Sequence, residues 1–129
     1  MTETSKIRAV LFVKDLARMT TFYTEALSLE YRHSDGNHAI LQRGEFELLL
    51  QQIPDHIAVD IEISEPPVRR ESGAIRLDYP VESIDRSRSA AKGLGGGINE
   101  EPAWVDQGAR FYLGYDPEGN VLGVSESAV

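Results

Sequence analysis

Cysteine is absent from the 129 residues. That excludes disulfides, thiolate nucleophiles and cysteine-ligated zinc, and it fits a reducing cytoplasm. No apolar run approaches the roughly 20 residues needed to cross a bilayer, so no membrane partner is expected. The opening stretch "MTETSKIR" has no apolar core of the kind a secretory signal carries. Basic charge is scarce: 13 Lys and Arg stand against 21 Asp and Glu, for a net charge of −8. The densest basic pair, Arg69-Arg70, is followed at once by Glu71. Such a surface repels phosphate backbones, which argues against nucleic acid as a partner; the acidity reads as a solubility device. No Gly-x-Ser-x-Gly motif occurs, and "GLGGG" at 93–97 closes a helical stretch instead of opening one, so it is not a dinucleotide loop.

What is present has a strong order. The length is that of one domain. "IRAVLFV", Ile7 to Val13, is rich in β-branched and aromatic residues and reads as a strand. Asp15 stands at an N-cap, and Leu16, Met19, Phe22, Tyr23, Ala26 and Leu27 recur at helical spacing, so residues 15–27 form an amphipathic helix. "LEYRHS", "HAILQR" and "FELLLQQ" follow as strands, joined by turns at "DGN" and "RGE". Residues 54–72 carry three prolines and mixed charge and read as a linker, with a short strand at Ile57–Ile63. Then the order recurs. "GAIRLDYPV" is a strand. Ser83 caps a helix with Ile84, Ala90, Ala91 and Leu94 on one face. "EEPAWV", "ARFYLGY" and "VLGVSE" are strands, the last two joined by an Asp-Pro-Glu-Gly turn. Arg8 precedes Asp15 by seven residues and Arg76 precedes Ser83 by seven, an offset of 68 in both cases. The pattern predicts an α+β fold: two tandem βαβββ modules, 5–53 and 73–127, joined by the linker and curving their sheets around a cleft.

The stretch "IRAVLFVKDLARMTTFYTEALSL" resembles the opening of the vicinal oxygen chelate proteins, the superfamily of glyoxalases, bleomycin-resistance proteins and extradiol dioxygenases. "DPEGNVLGVSE" resembles their closing hairpin. The resemblance spans nearly the whole chain and implies the tandem-module fold. It also implies where a metal-using member keeps its four ligands: on the opening strand, on the fourth strand of the first module, on the strand that opens the second module, and four residues after the glycine of the closing turn. Here those places hold Arg8, Glu47, Arg76 and Gly123.

An arginine has five donors and no acceptor, so it cannot ligate a cation. At about 4 Å and an effective dielectric near 20, one arginine charge opposes a dication by about 8 kcal/mol. Glu47 alone cannot offset two of them, so neither a metal nor another cofactor is expected, and no catalytic residue is assigned. Strand alternation turns Arg8, Phe12, Glu47, Arg76 and Asp78 toward the cleft, with Arg110 and Tyr112 on the seventh strand. Trp104, the sole tryptophan, stands near its mouth as a stacking wall. Two uses are open for this group. Arg8, Glu47, Arg76 and Asp78 can form an internal salt-bridge network that plugs the old metal place. Alternatively a guanidinium grips the carboxylate or phosphate of a small organic ligand. The second use, with the likeness to bleomycin-resistance proteins, implies a metal-free homodimer that sequesters a small molecule; the arginines favour an anionic or amphoteric one, while the net charge of −8 leaves a cationic one open. A rival reading is a glyoxalase-like lyase, isomerase or dioxygenase with a relocated metal on His38 and Glu47.

Overall fold

Alternation decides the first module. Along β1 (Ile7–Val13) the side chains of Ala9, Leu11 and Val13 turn to the core, while Ile7, Arg8, Val10 and Phe12 are exposed. In the computed structural model, which describes residues 6–127, β1 is followed by α1 (Leu16–Glu25), β2 (Glu30–Ser34), β3 (His38–Arg43) and β4 (Phe46–Gln52). They form one sheet in the order β1-β4-β3-β2, with β1 parallel to β4 and the rest antiparallel. Asp15 caps α1 by accepting from the Arg18 amide at 3.1 Å. Met19, Phe22 and Tyr23 lie on the covered face of α1 and pack on Leu41, Leu48 and Leu50. Each such side chain contributes roughly 1.5–3 kcal/mol by leaving water.

The second module repeats the scheme. β5 (Asp78–Val81) leads to α3 (Ile84–Gly93), with Ser83 accepting from the Arg86 amide at 3.2 Å. Then come β6 (Gly97–Ile98), β7 (Trp104–Asp106), β8 (Ala109–Tyr115) and β9 (Val121–Ser127). The sheet order is β5-β9-β8-β6, and β7 also pairs with β8. Tyr79, Val81, Ile84, Ala91, Leu122 and Val124 join the same buried cluster as the first module's residues. The two-module expectation is met, with three local differences. The strand expected over 73–81 is regular only from Asp78. The strand expected at 100–105 is two short pieces either side of 99–103, where Pro102 interrupts pairing. The strand expected at Ile57–Ile63 is absent; Pro54 opens a single helical turn instead, α2 (Asp55–Ala58), which buries Ala58. The expected start of the first module, residue 5, and most of "MTETSKIR" lie outside the described residues. No helix among the described residues is long and apolar enough to cross a membrane.

The Asp-Pro-Glu-Gly turn joins the modules as well as closing a hairpin. Asp116 is fully buried and accepts from the Tyr23 hydroxyl at 2.7 Å, the Asn120 side chain at 2.9 Å, and the Glu118 and Asn120 amides at 2.9 and 3.0 Å. Glu118 reaches into the first module and accepts from the amides of Lys14 and Asp15 at 2.9 and 2.8 Å. Those amides stand at the start of α1, where helix bonding offers no partner. Burial raises the Asp116 carboxyl above its ordinary value despite its four donors, and it raises Glu118 likewise. The Tyr23 hydroxyl is pushed well up by burial first and by Asp116 second.

Candidate functional site

Each module carries one arginine–carboxylate pair at the place where the resemblance puts metal ligands. On the first sheet Arg8 and Glu47 are register partners, and Arg8 donates Nε and Nη2 to Glu47 Oε1 at 3.0 and 2.8 Å. Lys6 stands 4.0 Å from the other Glu47 oxygen. On the second sheet Arg76 donates Nε to Asp78 Oδ1 at 2.8 Å and Nη2 to Oδ2 at 3.2 Å. The second pair lies over Gly123, the register partner of Asp78. A Cβ at Gly123 would overlap Asp78 Oδ1 and come within 2.9 Å of its Cγ and 3.3 Å of Arg76 Nε. The bare backbone of β9 therefore lets the pair fold across it. The Arg76 guanidinium then sits 4.6 Å from the Trp104 ring centre, and Trp104 stacks on Phe111 at 5.1 Å and 11°. The room at Gly123 is taken by the chain's own carboxylate.

The four charged residues do not form one network. They are two separate pairs, and both are wet: the Arg8 side chain is 45 % exposed, and Arg76 and Asp78 are 38 % and 35 % exposed. Phe12 is on the same face as Arg8 and Glu47, 63 % exposed, beside its partner Gln51. Tyr112 and Arg110 are not on the cleft face, a correction to the sequence reading. Tyr112 is buried in the core, with the Arg88 guanidinium of α3 over its ring at 5.3 Å. Arg110 is exposed and pairs in register with Glu126, on the Tyr112 side of the strand. On β8 the cleft side is held by Phe111 and Leu113, Leu113 facing Gly123 in register. The sequence reading had β8 one residue out of phase, which exchanges the faces.

Arg8 and Arg76 do come to one place. They line an open cavity of about 1000 Å³ between β1 and the 69–77 segment. Its floor includes Tyr23 and Tyr79, its walls Leu11, Leu48, Leu113 and Leu122, and its rim Arg69 and Arg70. Tyr23, Tyr79, Arg69 and Arg70 went unpredicted as site residues: the arginines read as linker charge, Tyr23 as core and Tyr79 as part of a strand. Glu47, Asp78, Phe12 and Trp104 do not line it. A second hollow, about 870 Å³, lies at the start of α1. Its amide donors are already taken by Glu118 and by Gln52, which accepts from Leu16 at 3.1 Å.

The side chains present do not fit a divalent ion at the places the fold family implies. Two are guanidinium groups, one is a glycine covered by Asp78, and each carboxylate is held by its own arginine. The His38–Glu47 alternative fails as well. His38 faces Gln51 and Glu47 faces Gln42, four residues further along β3. That is about 13 Å along the strands. His38 Nδ1 is moreover 2.9 Å from Asp35. Among the described residues no three His, Asp or Glu side chains converge as a metal group would need.

Comparison with known proteins agrees with this architecture. No curated protein matches the chain. Among solved structures, a hypothetical protein from S. aureus superposes with a TM-score of 0.66 at 20% identity, covering 98% of this chain and 95% of that one. A glyoxalase/bleomycin resistance protein/dioxygenase family enzyme from Burkholderia phytofirmans PsJN gives 0.65 at 17% identity, over 92% and 95%. The fosfomycin resistance protein FosX from Listeria monocytogenes gives 0.64 at 17% identity, over 98% and 94%. At these identities the likeness is one of fold. The glyoxalase-like domain family matches residues 8–125, and the chain therefore belongs to that family, within the vicinal oxygen chelate superfamily.

Proposed function

We propose that the protein is a metal-free binding module that holds a small organic molecule in the cavity between its two modules, with Arg8 and Arg76 at the mouth. The observation that carries this reading is the pairing of Arg8 with Glu47 and of Arg76 with Asp78 beside a cavity of about 1000 Å³. The volume is at the upper end of the roughly 300–1,000 Å³ typical of small-molecule sites. Each paired guanidinium gives its carboxylate only Nε and Nη2, which leaves Nη1 to turn to a ligand. The mostly aliphatic lining supplies apolar contact, and the arginines favour an anionic or amphoteric guest.

The same reading takes the chain as a homodimer. Its support is exposed apolar area on the first sheet, at Phe12 (63%) and at Val10 (49%) beside the cavity, which a second copy would cover. Sedimentation of the purified protein tests that part. The binding part is tested by a thermal-shift screen of small organic acids, amines and neutral compounds. A ligand at about a hundred times its Kd stabilises by about 2.7 kcal/mol, a shift easily read. Stabilisation by divalent metals and by none of the organic compounds would overturn the proposal.

A further inference from the structure

The cavity has four arginines at its edge, and they are not equivalent. Arg8 and Arg76 are each neutralised by a carboxylate. Arg69 is committed to the protein: Nη2 donates to Asn99 Oδ1 at 3.1 Å, and the guanidinium stacks over Tyr115 at 4.5 Å. Arg70 lines the cavity, is exposed, and has no side-chain hydrogen bond or ion pair among the described residues. Its backbone is nevertheless fixed. The Arg70 amide donates to Gly119 O at 2.8 Å, and Gly119, at φ +89°, packs against the Val68 carbonyl so closely that a Cβ would collide with it. The rim carrying Arg70 is therefore tied by its backbone to the turn at Asp116, while the guanidinium itself is left without a protein partner among the described residues.

We infer that the guest is an amphipathic monocarboxylate, an aliphatic or aryl-aliphatic acid, whose carboxylate docks on Arg70 while its apolar body lies against Leu11, Leu48, Leu77, Leu113 and Leu122. This rests on the binding reading above. Charge decides for one negative unit. Arg70 is the guanidinium there with no side-chain partner among the described residues, and Glu71 beside it opposes a second negative charge on the guest. Geometry decides for a carboxylate, whose two oxygens match the planar fork of arginine. The lining decides for an apolar body, since leucine predominates along the walls and no other uncommitted charge projects there except Glu71, at the rim.

The test is calorimetric titration of the intact protein with four probes that share one chain: octanoate, octanol, octylammonium and octyl phosphate. Each is run on the wild type and on Arg70→Gln, which leaves every hydrogen bond described here in place. Octanoate is expected to bind best, and Arg70→Gln to weaken it by roughly ten- to a hundredfold, the worth of one charge-assisted contact. Octanol is expected to bind both proteins alike. Amide shifts on octanoate addition are expected at Asn120 and Leu122, not at Lys92 on α3, which does not line the cavity. If octanol binds as well as octanoate, or Arg70→Gln leaves octanoate unchanged, the carboxylate assignment is overturned and the cavity reading stands. Tighter binding of octyl phosphate than of octanoate overturns the single-charge argument. No heat from any probe at millimolar concentration overturns both.

Discussion

Replacing Gly123 with alanine asks whether Asp78 fills the space where the superfamily's fourth ligand would project. The new Cβ would overlap Asp78 Oδ1, so the carboxylate has to swing away and release Arg76. Two opposing terms follow. Alanine in a strand is favoured over glycine by roughly 0.5–1 kcal/mol through the unfolded chain. The lost pair is about a third exposed on both sides, and a solvated pair of this kind contributes about 0.2–1 kcal/mol. The net change should stay within about 1 kcal/mol, a melting shift of no more than about 4 °C at this size. The diagnostic is a double-mutant cycle by urea denaturation. Asp78→Ala should cost up to about 1 kcal/mol in the wild type and nothing measurable in Gly123→Ala. A loss above about 3 kcal/mol for Gly123→Ala alone would mean that Asp78 cannot yield. Equal cost of Asp78→Ala in both backgrounds would refute the account.

Three further outcomes are expected. Arg8→Ala should destabilise by less than about 1 kcal/mol because its side chain is 45 % exposed; a loss of several kcal/mol in denaturation would restore the idea of a buried plug. Arg76→Ala should change the emission of Trp104, the sole tryptophan, because the guanidinium covers its ring at 4.6 Å; an unchanged spectrum would count against the stack. For Asp116 the folded-state carboxyl is raised by burial. The folded protein then holds the proton more tightly than the unfolded chain, so this group's contribution is full below the ordinary carboxylate range and is lost as pH rises through the raised value. Asp116→Asn should therefore gain stability relative to the wild type between acid and neutral pH, read by denaturation across that range, and a relative loss would reverse the sign of the argument.

The fold was legible because its signals are local and repeated. Asp15 and Ser83 both cap, the Asp-Pro-Glu-Gly turn closes, and the offset between Arg8 and Arg76 marks the second module. The candidate site was legible only in part. Arg8 and Glu47 could be read because the resemblance marks both places, and the parallel register of β1 and β4 makes them partners. On β8 the apolar and polar residues do not alternate cleanly: Phe111 and Leu113 look the more apolar set and read as core, which leaves Arg110 and Tyr112 to the cleft, although the Tyr112 ring suits the core as well. Its true phase is set by α3, whose Arg88 packs on the ring, and that contact has no trace in the local pattern. The part played by Asp78 over Gly123 needed the register between β5 and β9. The joint made by Glu118 to Lys14 spans 104 residues, a separation at which single-sequence periodicity is silent.

The central claim is that this chain has exchanged a metal site for two ion pairs and binds an organic molecule instead. The most direct measurement is the metal content of the purified protein by elemental mass spectrometry, after incubation with zinc, nickel, manganese and iron and exchange into clean buffer. The account predicts no stoichiometric metal and no change in melting temperature from the incubation. Stoichiometric metal retained by the wild type, and lost on Glu47→Gln, would contradict it and return the enzyme reading to first place.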